Sequence, residues 1–189
     1  MASDTGQKIL DIAENLLQTR GFNGFSYQDI ANAIGIRKAS IHYYFPSKAD
    51  LGVAIVKRYR KDFKHWAEEQ KQSNKSALEK LEAYFQFYVN IVDVGNKICL
   101  SGVLSAEFKA VPEPIQQELQ GMVDDVYQWI IELLREGREE GVFKETGTVE
   151  EQAMWFGSTL QGALQIARVT GDKNVFISVL NQLRAFIVK

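Results

Sequence analysis

Apolar residues recur along the whole chain at steps of three and four, the spacing that lines one face of an α-helix. Between Lys8 and Arg20 they are Ile9, Ile12, Ala13, Leu16 and Leu17, and Gly21 supplies the stop. Ser26 with Asp29 three residues on has the spacing of a capping box and starts a short second helix, which ends at Gly35. A third short helix is predicted over Lys38–Tyr44, closed by Pro46. Ser47 caps a long fourth helix that begins at Lys48, carries Leu51, Ile55, Tyr59, Phe63 and Trp66 on one side, and frays in the polar stretch from Gln70 to Ser76. A fifth covers about Ala77–Val94, with Gly95 and Asn96 as its stop. A sixth covers Cys99–Ala110, halted by Pro112 and Pro114. The last three are predicted at Glu113–Glu140, Val149–Thr170 and Asp172–Val188, with Gly141 and Gly171 after the first two. No alternation of period two is long enough to argue a strand, so the expected fold is all-α with about nine helices.

Composition narrows the class. The chain is 46% hydrophobic and 24% charged, which is globular rather than disordered. No apolar run reaches the roughly 18–20 residues that a bilayer span needs. The start, Met1-Ala2-Ser3-Asp4-Thr5, has no basic stretch leading into an apolar core, so no secretory signal is expected and the cytoplasm is the default location. One cysteine cannot close an internal disulfide, and one cysteine with two histidines is a poor metal set, so neither metal nor cofactor is expected. Net charge is −2, yet residues 1–65 carry ten Lys+Arg against six Asp+Glu, while the remainder carries twelve against eighteen. A basic front on an acidic remainder suits a front that meets a polyanion.

The segment from Ser26 to Leu51 carries the chemistry. Two short helices joined by a tight turn at Gly35 make a helix-turn-helix. Ile30, Ala31, Ile34, Ile36 and Ile41 are spaced to pack the two together. The rest of the second helix of the pair points outward as Arg37, Lys38, Ser40, His42, Tyr43 and Tyr44, rich in donors and without a carboxylate. Such a helix can enter a major groove and reach base edges and phosphates.

These residues resemble the DNA-binding domain of the TetR family of bacterial regulators. The resemblance lies in Ile30-Ala31, Gly35-Ile36, Lys38-Ala39-Ser40-Ile41, Tyr44-Phe45, and Lys48 with Leu51. One departure is His42, where the family usually has tyrosine; histidine can still donate to a phosphate, with a contribution that varies with pH. The resemblance implies that Ser26, His42, Tyr44 and Lys48 hold phosphates, and that Arg37, Lys38, Ser40 and Tyr43 face base edges. It implies a DNA-binding head over residues 1–47 and a ligand-binding and dimerisation body over 48–189, connected by the helix 48–70. The implied function is a homodimeric repressor, released from an inverted-repeat operator in double-stranded DNA by a small molecule. An activator, or a regulator working through a protein partner, fits the same sequence.

The body offers Phe63, Trp66, Phe85, Tyr88, Phe108, Tyr127, Trp129 and Trp155 as lining for a small apolar or electrophilic ligand. Cys99, within Cys99-Leu100-Ser101-Gly102-Val103-Leu104-Ser105-Ala106-Glu107, resembles a segment of family members that sense electrophiles, and Lys97 is close in sequence. A cysteine-dependent enzyme is the rival, but it needs a general base, and the two histidines fall elsewhere, at His42 and His65. The last two helices are apolar enough to form half of a four-helix bundle. Phe156, Leu160 and Leu164 on one, with Phe176, Leu180 and Leu183 on the other, are the expected homodimer interface, and Gly157 and Gly162 permit close approach.

Overall fold

A computed structural model describes residues 4–93 and 99–189. Nine helices are found among the described residues: α1 Asp4–Arg20, α2 Tyr27–Ile34, α3 Lys38–Tyr44, α4 Lys48–Gln72, α5 Ala77–Asp93, α6 Leu100–Ala106, α7 Glu113–Glu139, α8 Val149–Thr170 and α9 Lys173–Ile187. The all-α architecture follows the three- and four-residue spacing closely, and the glycine stops at 21, 35, 141 and 171 each adopt positive φ. The expected stop of the fifth helix at Gly95 and Asn96, and Lys97 beside Cys99, lie outside the described residues.

Three local differences have physical causes. α1 begins at Asp4, ahead of the apolar pattern, because the pattern marks the buried face and a polar first turn leaves no trace in it. α6 is shorter than expected: the chain turns after Ala106, and Ala110 N–H donates to the Glu107 carbonyl at 2.7 Å. The carboxy-terminal residues form one β-bridge, Phe143 with Val188, flanked by Lys144 N–H on the Ile187 carbonyl at 2.7 Å. A single bridge has no alternating signature to betray it.

The chain divides into two compact units: residues 1–62 with 99–122, and residues 63–98 with 123–189. The first buries Ile9, Ala13, Leu17, Ile30, Ala31, Ile41, Leu51 and Ile55, together with Leu100, Leu104 and Ile115. Arg58 on α4 ties α1 to this unit by donating to Asp11 at 2.5 Å and to Glu14. In the second unit α8 and α9 pack against each other, joined through Gly171 and the N-cap Asp172, and a capping box of Thr148 and Glu151 opens α8. Its core holds Leu81, Tyr84, Ile130, Leu134, Phe143, Phe156, Leu160, Phe176, Leu180 and Leu183. Each such side chain stabilises the fold by roughly 1.5–3 kcal/mol.

Candidate nucleic-acid interface

The hydrophobic residues of α2 and α3 decide which face of α3 is available. Ile30, Ala31 and Ile41 are all buried, while Ile34 and Ile36 are half-buried. Gly35, at φ 78°, lets the chain reverse between the helices, and its N–H and that of Ile36 both donate to the Ala31 carbonyl. At the other end of the pair the Tyr27 hydroxyl donates to the Phe45 carbonyl at 2.8 Å, fixing the start of α2 to the end of α3. Burial, reinforced by the Asp50 carboxylate, pushes the Tyr27 hydroxyl up to about 12, so it keeps its proton at neutral pH. With Ile41 inward, Arg37, Lys38, Ser40, His42 and Tyr43 are exposed and Tyr44 is half-buried. Phe45 is half-buried at the C-cap of α3.

Half of the expected DNA-facing residues come together. Ser26, Lys38, His42 and Lys48 line one shallow depression of about 270 Å³, with Phe25 and Tyr27 as its apolar wall. Arg37, Ser40, Tyr43 and Tyr44 lie outside it, and the ring of Tyr43 stands against that of Tyr44 edge to face at 5.2 Å. The His42 Nδ1 lies 3.1 Å from the Pro46 carbonyl, and its ring is 4.8 Å from that of Tyr27.

Lys48, expected to hold a phosphate, is also engaged within its own unit. Its ammonium donates to the Phe22 carbonyl at 2.5 Å and to the Phe25 carbonyl, and sits 4.6 Å and 4.4 Å from the centres of the same two rings. Two of an ammonium's three donors thus brace the α1–α2 connection. Burial lowers the ammonium below its ordinary range, against the opposing pull of Glu107 and Asp29. Ser26 is likewise engaged: its hydroxyl and N–H donate to one oxygen of Asp29, at 2.6 and 2.8 Å, which holds that carboxyl below its usual range.

Neither Tyr27 nor Glu107 is marked by the sequence pattern. Glu107 lies just past α6, and its carboxylate accepts from Phe22 N–H at 2.6 Å and Asn23 N–H at 3.4 Å. The α1–α2 connection is therefore held both by α4, through Lys48, and by the residue that follows α6. A partner 85 residues away leaves no local signal.

The body's aromatic residues sort differently from expectation. Phe63, Trp66 and Trp129 pack with Tyr84, Phe87 and Tyr88, which include the Trp66–Trp129 contact at 4.9 Å and the Tyr84–Trp129 contact at 4.7 Å. Tyr84 and Phe87 belong to this cluster although the spacing had not singled them out. Phe85 stacks on Phe156 at 5.9 Å. Cys99 is buried in the first unit, its sulfur 3.1 Å from the Ser101 hydroxyl and 3.8 Å from that of Tyr59. Phe108 is half-buried in that unit under Lys109, and Tyr127 donates to the Glu150 carbonyl at 2.8 Å. Trp155 is 42% exposed and meets Phe186 edge to face, so it lies on the surface of α8 rather than inside.

The expected dimer residues need correction as well. Phe156, Leu160, Leu164, Phe176, Leu180 and Leu183 are all buried within the single chain. They lie in the core of the unit that α8 and α9 help to form. Both helices carry apolar residues on a second face, and the pattern alone does not rank the faces. The exposed apolar residues are Met154, Trp155, Ile166 and Val169 on α8 with Ile177 and Phe186 on α9. Among the described residues no helix is long and apolar enough to cross a membrane.

Comparison with known proteins agrees with this architecture. Residues 9–55 match the family model of bacterial regulatory proteins of the tetR family, and residues 77–183 match that of the tetracyclin repressor-like C-terminal domain. The HTH-type transcriptional repressor NemR of Escherichia coli is 27% identical over 169 residues, 85% of either chain. A TetR-family transcriptional regulator from Agrobacterium tumefaciens superposes with a TM-score of 0.93 at 31% identity, over 97% of each chain. One from Legionella pneumophila does so with a TM-score of 0.86 at 31% identity, over 98% of each. With a helix-turn-helix whose outward helix bears donors and no carboxylate, a second helical unit, and both family models matched in order, the chain belongs to the TetR family of bacterial transcriptional regulators.

Proposed function

We propose that this protein is a dimeric repressor that holds an inverted-repeat operator with residues 1–47 and is released by a small apolar or electrophilic molecule taken up by the body, residues 48–189. The observation that carries the DNA part is the depression where Ser26, Lys38, His42 and Lys48 meet beside an α3 whose exposed side chains include no carboxylate. A phosphate seated there is met by cationic and polar side chains, while Arg37, Ser40 and Tyr43 face base edges. Tyr44 adds a phosphate contact at the end of α3. The relative NemR is named a transcriptional repressor, which favours repression over activation.

Dimerisation uses the second face of the α8–α9 pair. Trp155, Gly162, Ile166 and Val169 follow one another on α8 at helical spacing and are exposed, with Ile177 and Phe186 exposed on α9. Gly162 has open space where a side chain would be, which suits close approach of a second copy. Two heads in such a dimer read half-sites about one DNA turn, roughly 34–36 Å, apart or a multiple of it. A ligand releases the operator only by binding the released state more tightly. The aromatic cluster around Trp66 and Trp129, and Cys99 beside Tyr59, are the ligand-facing candidates.

Selection of duplexes from a random-sequence library tests the proposal. Enrichment of an inverted repeat is expected, with affinity falling steeply as salt is added, because each phosphate contact releases counterions. Lys38→Ala weakens binding and lowers the salt slope. Binding that ignores both sequence and salt refutes the repressor.

A further inference from the structure

We propose that this protein takes up a proton on His42 when its head seats a DNA phosphate, so that operator affinity rises as the pH falls through the imidazole range. The proposal rests on the DNA-binding function proposed above. Its basis is the direction of one hydrogen bond. The Nδ1 of His42 lies 3.1 Å from the Pro46 carbonyl, and a carbonyl only accepts, so Nδ1 carries the hydrogen. In the neutral ring Nε2 is then a bare lone pair. Phosphate oxygens in DNA also only accept, so a neutral His42 presents lone pair to lone pair. Protonation places a donor and a positive charge on Nε2 while the bond to Pro46 stays in place.

The surroundings give the coupling its sign. His42 shares its depression with Lys38, one turn earlier on α3, and with Lys48 of α4. From α2 come Ser26 and the ring of Tyr27, whose hydroxyl is bonded to the Phe45 carbonyl and stays protonated up to about 12. The nearby carboxylates are engaged: Asp29 accepts from Ser26, and Asp50 accepts from the Ser47 N–H at 2.9 Å and hydroxyl at 2.7 Å. A phosphate in the depression adds a negative charge beside the ring and so favours the imidazolium, and the complex binds the proton more tightly than the free head does. A tyrosine in this position would have a hydroxyl that donates without titrating near neutrality, so the pH response belongs to the imidazole of His42.

The chain has two histidines, which makes the test clean. His65 is exposed on α4 and pairs with Glu69 at 3.2 Å, and it serves as the control. Fluorescence anisotropy on a selected inverted-repeat duplex, at constant ionic strength from pH 5.5 to 8.5, reads affinity for the wild type and for His42→Tyr, His42→Gln and His65→Gln. As the pH rises through the range in which free and DNA-bound heads differ in protonation, wild type and His65→Gln are expected to lose affinity by up to about tenfold per pH unit per head. His42→Tyr and His42→Gln are expected to give nearly flat profiles. Calorimetry in two buffers of different ionisation enthalpy should show proton uptake on binding by the wild type and none by His42→Tyr. A flat wild-type profile, or a slope that survives in His42→Tyr, overturns the proposal and leaves DNA binding standing; a wild type that binds no duplex at any pH overturns the DNA-binding function beneath it.

Discussion

Replacing Tyr27 with Phe removes one hydroxyl and keeps the buried ring and its contact with His42. The side chain is 5% exposed and its hydroxyl donates to the Phe45 carbonyl at 2.8 Å. At neutral pH the loss is one neutral hydrogen bond whose acceptor residue is half-buried and able to take a water instead, worth about 1 kcal/mol. In a chain of 189 residues that lowers the melting temperature by roughly 2–4 °C. Alkaline pH gives a second, opposite effect. The folded hydroxyl holds its proton up to about 12 against an ordinary 10.0, so the folded state keeps a proton that the unfolded chain releases above pH 10. Stability linked to that proton is fully present below pH 10 and lost as the pH rises through 12. Two pH units correspond to about 2.7 kcal/mol, and screening by solvent around the head reduces this to roughly 2 kcal/mol. Urea unfolding followed by circular dichroism at pH 7, 9.5 and 11.5 separates the two effects. Wild type should exceed Tyr27→Phe by about 1 kcal/mol at the first two values, and the advantage should vanish or reverse at the third. Equal stability at pH 7 would show that the hydroxyl does not hold α3. A constant difference across the range would show that it titrates as an ordinary tyrosine.

Glu107→Ala removes a charged acceptor from the Phe22 and Asn23 N–H groups and should cost about 2 kcal/mol in the same urea assay, with Glu107→Gln recovering part; an unchanged midpoint would rule out the carboxylate as a support of the α1–α2 connection. Val169→Asp or Phe186→Asp, on the exposed face of α8 and α9, should yield folded monomers in sedimentation velocity, whereas Leu160→Asp, 1% exposed, should unfold the chain. Dimers that persist in both surface variants would place the interface elsewhere. Cys99 is the sole cysteine and 3% exposed, so a small maleimide should label the native protein far more slowly than the urea-unfolded chain, as intact mass reports; equal rates would show that the thiol is open to solvent.

Helical periodicity and caps act over a few residues, and what they govern was legible in the chain. The bounds of α3 and α8, the positive-φ turn at Gly35, the Ser26–Asp29 cap and the outward set from Arg37 to Tyr43 all follow from spacing within a single helix or turn. Apolar spacing also marked Leu160 and Leu183, expected at a homodimer interface, as residues to be buried. It did not distinguish burial against the same chain from burial against a second one, because both remove the same side chain from water. That distinction appeared only when α8 met α9 and left Ile166, Val169 and Phe186 outside.

Lys48 shows the same boundary in the head. As a letter it is a lysine at the start of a helix, where solvent or a phosphate would serve it equally well. In the fold, the Phe22 and Phe25 carbonyls arrive from more than twenty residues earlier and turn it into a brace. Glu107 and Tyr27 acquire their roles in the same way, through partners at separations of 85 and 18 residues. Hydrogen bonds and ion pairs require approach within a few ångströms, and sequence spacing reports such approach only within a helix turn or a hairpin. The sequence by itself determined the helices, their ends and the chemical character of α3. The tertiary structure alone decided which charged and aromatic groups face one another, because that depends on chain segments brought together by burial of the core.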